Sequence, residues 1–222
     1  MKKPVAAKKR NLEKSRKEIL GVAFFEVFTH GFQGVSVDDI VKKTSMTKGA
    51  FYHHFPGKLD LGYALVDEVI KPLIIERWIA PLNHFKNPLE GILSQMEKLI
   101  GECPPELLKF GCPLNNLVQE MAPIDHGFAK RLKSALDLWI DKMDEHLIRG
   151  QADGFIKSDV NTREVALFVV MAHEGFYGLI KGLGSSGVFQ ALSRSMKIYF
   201  QTISTLKSKN ANRRIQAFTK ES

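Results

Sequence analysis

The stretch SVDDIVKKTSMTKGAFYHHF, residues 36–55, holds two short helical patterns with a tight turn between them. Ser36, with an aspartate three residues further on, has the pattern of a capping box and starts a helix that we expect to end near Thr44. Thr47 is a good N-cap for a second short helix, which Pro56 and the glycine after it bring to an end. Two short helices joined by so tight a turn predict a helix-turn-helix.

The rest of the chain also follows helical spacing. A first helix is expected over residues 12–30, where apolar side chains recur on one face and Gly31 stands at the C-terminal end. Pro72 is expected to kink the helix that begins at Lys58. Residues 101–113 are predicted to be a loop because they are dense in glycine and proline. The further helices are predicted at about 58–80, 87–100, 115–121, 125–149, 162–181 and 186–206, and Asn87 can cap the second of these.

These patterns predict an all-α protein without a strand or an internal repeat. We expect two domains. Residues 1–57 would form a basic segment and a three-helix DNA-binding domain that contains the helix-turn-helix. Residues 58–222 would form a larger helical domain.

The charge of the chain is concentrated at its N-terminal end. Of the net charge of +8, residues 1–60 hold 12 Lys/Arg against 6 Asp/Glu. A basic end on a near-neutral body indicates an anionic partner, either nucleic acid or a membrane surface. The longest apolar run, VALFVVMA at residues 165–172, is far shorter than the roughly 20 residues that span a bilayer. Because no apolar segment follows the basic N-terminus, we expect a cytoplasmic protein that does not enter a membrane.

A helix-turn-helix places the start of its second helix in the major groove of DNA. Thr47 and Lys48 stand at that helix start, and Gly49 lets the backbone approach the DNA closely. One helical turn further on, Tyr52 follows Lys48 and His53 follows Gly49 on the same face.

The neighbouring positions divide between DNA and core. Lys58 offers a second phosphate contact at the start of the next helix. Phe51 and Phe55 share the opposite face and are expected to pack inward against Phe24, Phe28 and Ile40.

The adjacent histidines suggest a metal site, but the helix argues against one. His53 and His54 point about 100° apart, so they form a poor chelating pair and we expect no metal. Two cysteines are too few for a closed zinc site. His173-Glu174 begins a zinc-protease string in which Tyr177 replaces the second histidine. With no phosphate loop or nucleophile elbow either, we expect neither an enzyme nor a cofactor.

The segment GFQGVSVDDIVKKTSMTKGAFYHHFPGK, within residues 19–65, resembles the DNA-binding domain of the TetR family of bacterial transcriptional regulators. The resemblance is nearly unbroken over this range. One departure is Leu59-Asp60, where the family often has acidic residues, and we expect no effect on DNA contact. The resemblance implies that the family's DNA-contact positions are occupied here by Ser36, Thr47, Lys48, Tyr52, His53 and Lys58.

The resemblance further implies a homodimer that binds a palindromic operator and releases it when a small-molecule effector binds the C-terminal domain. The last two helices of such proteins usually pair with their copies in the partner subunit. The stripe that would do so here consists of Val188, Leu192, Met196, Tyr199, Ile203 and Leu206. Gly175 and Gly178 in the preceding helix would allow close approach.

The effector site is less well marked. Apolar residues between positions 58 and 150 that could line it, although such residues are more often plain core, are Trp78, Phe110, Trp139 and Met143. Cys112 lies in a GCP segment, at residues 111–113, that resembles a subgroup of the family responding to electrophiles or oxidants. Its place just ahead of a helix would favour the thiolate, although a buried and inert cysteine is the more common case.

Three functions therefore remain open. The first is a ligand-responsive repressor, and the second is a thiol-based sensor that acts through Cys112. The third is a non-specific architectural DNA-binding protein that depends on the basic N-terminus.

Overall fold

The computed structural model of the protein describes residues 4–184 and 187–205. Its helices confirm the predicted all-α class, and the described residues contain no β-strand, only an isolated antiparallel bridge between Ile156 and Ser204. The helices are α1 Pro4–His30, α2 Val37–Lys42, α3 Lys48–His54, α4 Lys58–Ala64, α5 Lys71–Ile74, α6 Pro88–Gly101, α7 Pro105–Leu108, α8 Pro113–Met121, α9 His126–Ala152, α10 Thr162–Leu183 and α11 Gly187–Ile203.

Three helices begin at the caps that the sequence predicts. Ser36 and Asp39 form a reciprocal capping box at the start of α2. Thr47 Oγ1 accepts the backbone N–H of Ala50 at 3.2 Å and caps α3. Asn87 Oδ1 accepts the N–H of Leu89 at 3.1 Å at the start of α6. Each cap satisfies a backbone donor that has no partner within its helix.

Pro72 lies between two π-helical segments, Leu65–Ile70 and Ile75–Ile79, and a 3-10 turn, Ala80–His84, follows them. Because proline has no N–H to donate to the preceding turn, a local change in helical hydrogen bonding accommodates it. The predicted helix thus continues four residues past its expected end near Ala80.

Other boundaries also differ from prediction. Helix α1 begins at Pro4, two turns before the expected start, and the predicted loop at 101–113 contains the short helix α7. Leu206 and the remaining tail lie outside the described residues.

By packing, the chain divides into two compact units. The first unit contains residues 1–73 and 112–136, and the second contains residues 74–111 and 137–222. The predicted division after residue 57 concerns function and stays a prediction.

In the first unit, α3 turns its two phenylalanines inward as expected. Phe51 is 0% exposed and Phe55 is 1% exposed, and their ring centroids lie 5.6 Å apart. Gly62 of α4 lies so close to the rings of Phe32 and Phe128 that a side chain there would clash with both. Phe24 and Phe28 stack on each other, half-buried, and line a cavity with room for about one water molecule.

In the second unit, the stripe expected to form the dimer interface is partly used within the protomer. Met196 and Ile203 are buried, whereas Val188, Leu192 and Tyr199 are half-buried. The exposed apolar side chains of this unit instead concentrate on α10. Five of them lie there, namely Leu167, Phe168, Met171, Leu179 and Leu183, while Phe85, Ile148 and Ile198 are exposed elsewhere in the unit.

Helix α10 is also long and apolar enough to cross a membrane by length and composition, the only such helix among the described residues. Its other face is buried in the second unit, including His173 and Phe176. We therefore regard α10 as a core helix with one exposed apolar face.

Candidate nucleic-acid interface

The outer face of α3 is open to solvent. Thr47, Lys48, Gly49 and His53 are exposed, and Tyr52 is 47% exposed. The space around Gly49 is nearly empty, since an added Cβ would meet only the Thr47 hydroxyl at 3.9 Å. The structure thus places these five sequence-predicted residues together on one accessible surface.

Lys48 is held by the first helix of the motif. Its Nζ lies 2.7 Å from Oδ1 of Asp38 on α2, and this hydrogen bond raises the pKa of Lys48. The side chain is therefore fully protonated at neutral pH and remains exposed.

Ser36, predicted as a further DNA contact, is exposed but donates its hydroxyl to Asp39 at 2.5 Å.

Lys58 is less open than the sequence predicts. Its Nζ donates to the backbone carbonyl of Gln33 at 3.3 Å and lies 4.8 Å from the ring centroid of Phe32. Partial burial lowers the pKa of Lys58, while the nearby Glu120 acts in the opposite direction. A DNA phosphate would have to compete with these contacts.

A carboxylate from α8 holds the loop after α1. Glu120 accepts the backbone N–H of Phe32 at 2.8 Å and that of Gln33 at 2.7 Å. Gly31 adopts a positive φ of 80°, which suits glycine, and a side chain there would press against the same carboxylate. Glu120 was not predictable from the sequence because it lies more than 80 residues from this loop in the chain.

Helix α1 fixes the turn of the motif through two acidic residues. Glu18 accepts the N–H of Ser45 at 2.7 Å, and this bond lowers the pKa of Glu18. Glu26 is 6% exposed and pairs with Lys43 at the end of α2, at 2.7 Å. Both contacts connect α1 to the segment between α2 and α3.

The C-terminal end of α3 is fastened by His54. Its Nε2 lies 2.7 Å from the hydroxyl oxygen of Ser15 on α1. That hydroxyl already donates its one proton to the carbonyl of Leu12 at 3.0 Å, so His54 must be the donor through Nε2–H. Burial lowers the pKa of His54, which keeps the ring neutral at physiological pH.

Arg16 completes this attachment. Its guanidinium donates to the carbonyl of His54 at 3.0 Å, pairs with both oxygens of Glu68 at 2.6 and 2.9 Å, and lies 4.3 Å from the ring centroid of Phe55. The hydrogen bond to Glu68 raises the pKa of Arg16, and the same bond lowers that of Glu68. A two-pronged guanidinium–carboxylate pair also fixes orientation.

Helix α3 is therefore a short, rigidly positioned helix with one exposed face. The face offers a cation, a phenol, an imidazole and open backbone at the helix start. Such a surface suits a major groove lined by phosphates.

In the second unit, the structure brings together two of the predicted effector-site residues. The ring centroids of Trp78 and Trp139 lie 5.2 Å apart, and His173 of α10 contacts both rings. In the sequence, His173 stands out only as part of an incomplete zinc-protease motif. Its spacing from the apolar residues of α10 nevertheless places it on the buried face of that helix.

The other predicted effector-site residues are placed differently. Met143 is fully buried in the second unit, and Phe110 is half-buried with Lys109 Nζ 5.0 Å from its ring centroid. Cys112 belongs to the first unit, where it precedes α8 and is 8% exposed.

Comparison with known proteins agrees with this geometry. Residues 19–65 match the family model described as bacterial regulatory proteins, tetR family. Residues 89–196 match that of the tetracyclin repressor-like C-terminal domain.

Individual relatives are transcriptional regulators. An HTH-type transcriptional regulator in the lacX 3′ region of Lactococcus lactis subsp. lactis is 26% identical over 137 residues, which cover 62% of this chain and 70% of that protein. The HTH-type transcriptional repressor DhaR of Mycobacterium sp. (strain GP1) is 24% identical over 152 residues, covering 65% of this chain and 71% of that protein.

Solved structures share the fold. A TetR-family regulator from Cytophaga hutchinsonii superposes with a TM-score of 0.79 at 18% identity, covering 88% of this chain and 97% of that one. The reduced form of NemR from E. coli gives a TM-score of 0.74 at 16% identity, covering 86% and 97%. The two family models, which together span most of the chain, and the matching fold show that this protein belongs to the TetR family of transcriptional regulators.

Proposed function

We propose that the protein is a homodimeric repressor that binds a palindromic operator and releases it when a small-molecule effector binds the C-terminal domain. The observation that carries this proposal is the exposed face of α3, which contacts with α1 and α2 hold in a fixed orientation. In this proposal Thr47, Lys48, Gly49, Tyr52 and His53 meet the DNA, and Lys58 leaves the Gln33 carbonyl to contact a phosphate. The setting would be the cytoplasm, where DNA is available.

Dimerisation would use α10. Leu167, Met171 and Leu179 are between 43% and 56% exposed, and Gly175 and Gly178 have open space where a side chain would stand. A stripe of exposed apolar residues and glycines allows two helix backbones to approach closely. Two copies of α3 would then contact the two half-sites of one operator.

The thiol-sensing alternative finds little support in the surroundings of Cys112. Its side chain is buried and presents little surface to an oxidant or electrophile. If Cys112→Ser left derepression by electrophiles and oxidants unchanged in cells, thiol sensing through Cys112 would be excluded.

Quantitative operator binding tests the proposal against a non-specific DNA binder. The operator is sought by footprinting the DNA beside the protein's own gene, and its affinity is compared with that of scrambled DNA at moderate salt. We expect a short protected palindrome and at least about a thousandfold preference for it. Equal affinity for both DNAs would overturn the proposal.

A double variant tests the docking face. Tyr52→Ala with Lys58→Ala should weaken binding to operator and scrambled DNA alike, and loss of one phosphate contact should lower the salt slope by about 1. The matched control is Ile148→Ala with Lys86→Ala, which removes one exposed apolar side chain and one exposed lysine from the second unit. Wild-type operator binding by the Tyr52/Lys58 variant would refute the proposed interface.

A further inference from the structure

Four side chains of the second unit form an aromatic cluster, defined here as Trp78, Trp139, His173 and Tyr177. The His173 ring centroid lies 4.7 Å from that of Trp78, 5.1 Å from that of Trp139 and 4.7 Å from that of Tyr177. The rings meet edge to face, and each of the four residues is at most 9% exposed. Three aromatic rings thus pack against the ring of His173.

Two buried polar atoms of this cluster have no hydrogen-bond partner among the described residues. They are Nε1 of Trp139 and Nδ1 of His173. Buried polar groups in native proteins are nearly always paired, because an unpaired one costs stability. Two such atoms in one cluster therefore point to a partner that is not part of the chain.

The chemistry of the two atoms describes that partner. Trp139 Nε1–H can only donate, so its partner must offer an acceptor. Nε2 of His173 lies 4.0 Å from the Glu174 carboxylate, so we assign the proton of the neutral ring to Nε2 and the acceptor to Nδ1. The partner must therefore both accept and donate a hydrogen bond.

The side chains around the two polar atoms indicate that the partner is uncharged. His173 is fully buried, and this burial lowers its pKa to about 3, so it supplies no cation at physiological pH. Glu174, next to it, likewise supplies no positive charge to an anion. An ammonium ligand could be attracted by the rings and by Glu174, but it could not accept the Trp139 proton.

We propose that the aromatic cluster binds the effector, and that the effector is an uncharged aromatic molecule with a hydroxyl group. The ring packs against Trp78 and Tyr177, and the hydroxyl accepts from Trp139 Nε1–H and donates to His173 Nδ1. This assignment rests on the proposed function as an effector-responsive regulator and names the chemical class of that effector.

The experiment uses the tryptophan fluorescence of the full-length protein. The chain has only two tryptophans, and both belong to the cluster, so the emission reports on this site. Four probes are titrated at pH 7: phenol, toluene, benzoate and benzylammonium. We expect phenol to change the emission saturably in the millimolar range or below, with at least tenfold higher affinity than toluene and no saturable change with either ion.

Two variants test whether the preference for phenol over toluene depends on Trp139 Nε1 and His173 Nδ1. His173→Phe and Trp139→Phe should each bring phenol affinity to within about threefold of toluene affinity, and Trp78 still reports in the second variant. His126→Phe, an exposed histidine changed in the same way, should retain the wild-type preference. The two variants serve as alternatives, so the test remains decisive if one of them fails to fold.

Three results would overturn the assignment: no saturable change with phenol, equal affinity for phenol and toluene, or tighter binding of either ion.

Operator binding without any probe is measured separately. If the operator is bound but phenol is not, the effector assignment fails and the regulator function stands. If phenol is bound but no operator is, the proposed function fails instead.

Discussion

At the scale of single residues, His54 is the position in the helix-turn-helix whose role the sequence does not reveal. The structure makes it a positioning residue: it ties the end of α3 to α1 through its Nε2–H and its carbonyl, and it does not belong to the exposed face. Its partner Ser15 lies 39 residues earlier in the chain. A local pattern therefore could not reveal the pair.

Changing either partner of this hydrogen bond should loosen α3. We expect His54→Phe and Ser15→Ala each to weaken operator binding about three- to tenfold, since a part-buried hydrogen bond contributes about 1 kcal/mol. His54→Gln can place an amide N–H where Nε2–H stands, so it should restore most of the affinity. Fluorescence anisotropy with labelled operator measures these effects.

The control is His126→Phe, which changes an exposed histidine outside the docking face and leaves the bond to Ser15 intact. If His54→Phe and Ser15→Ala together cost as much as the two single changes added, the two residues do not act as a pair.

A second single residue, His173, should control the acid stability of the protein. Its folded-state pKa of about 3 lies below the ordinary value of about 6.5, so below pH 6.5 the unfolded chain binds a proton that the folded chain does not. The titration of His173 therefore leaves the free energy of unfolding unchanged above pH 6.5 and decreases it as the pH falls from 6.5 toward 3. The expected loss is about 1 kcal/mol per pH unit.

Urea denaturation at pH 7, 6 and 5 measures this loss. The pKa values of His54 and His146 are also lowered by burial and act in the same direction, so the contribution of His173 is the difference between wild type and His173→Phe. His126→Phe serves as the surface control. Parallel pH dependence in wild type and His173→Phe would show that His173 is not responsible.

At the scale of elements, the helices were predictable wherever their signals were local. Ser36, Thr47 and Asn87 mark three helix starts, and the structure confirms all three. Contacts between distant elements were not predictable, because Glu120 and Glu26 carry no sign in the sequence of which loop or helix they meet. The exposed face of α3 was therefore foreseeable, whereas the contacts that orient it were not.

The contact between α8 and the loop after α1 should affect DNA binding from a distance. Glu120→Gln retains one acceptor oxygen but turns an amide NH₂ toward a backbone N–H, so one of the two loop donors loses its partner. Because this loop also holds Lys58 and leads into α2, we expect operator affinity to fall about three- to tenfold while the circular dichroism spectrum stays helical.

The neighbouring change Gln119→Ala, also on α8 and exposed, should leave affinity within twofold of wild type. Equal effects of the two changes would mean that α8 influences DNA binding in some way other than through this carboxylate.

At the scale of the whole molecule, the stripe that the sequence predicts as a dimer interface on α11 is partly used inside the protomer. Met196 and Ile203 follow helical spacing as well as any interface stripe, yet they pack inside the protomer. Periodicity shows that a face is apolar and cannot show what covers it. Exposed apolar side chains mark an open face on α10, with Met171 and Leu179 near its middle.

A charge placed on that face should separate the subunits and thereby weaken specific DNA binding. We expect Met171→Glu or Leu179→Glu to convert the dimer to a monomer at micromolar concentration, because each subunit would bury an unpaired carboxylate against its partner. A monomer contacts one half-site at a time, so operator affinity should fall by at least about a hundredfold. Binding to a single half-site should change little.

Analytical ultracentrifugation and anisotropy with full and half operators measure both effects, and Ile148→Glu, on the exposed surface of α9, controls for the added charge. A Met171→Glu protein that remained dimeric would place the interface elsewhere on the chain.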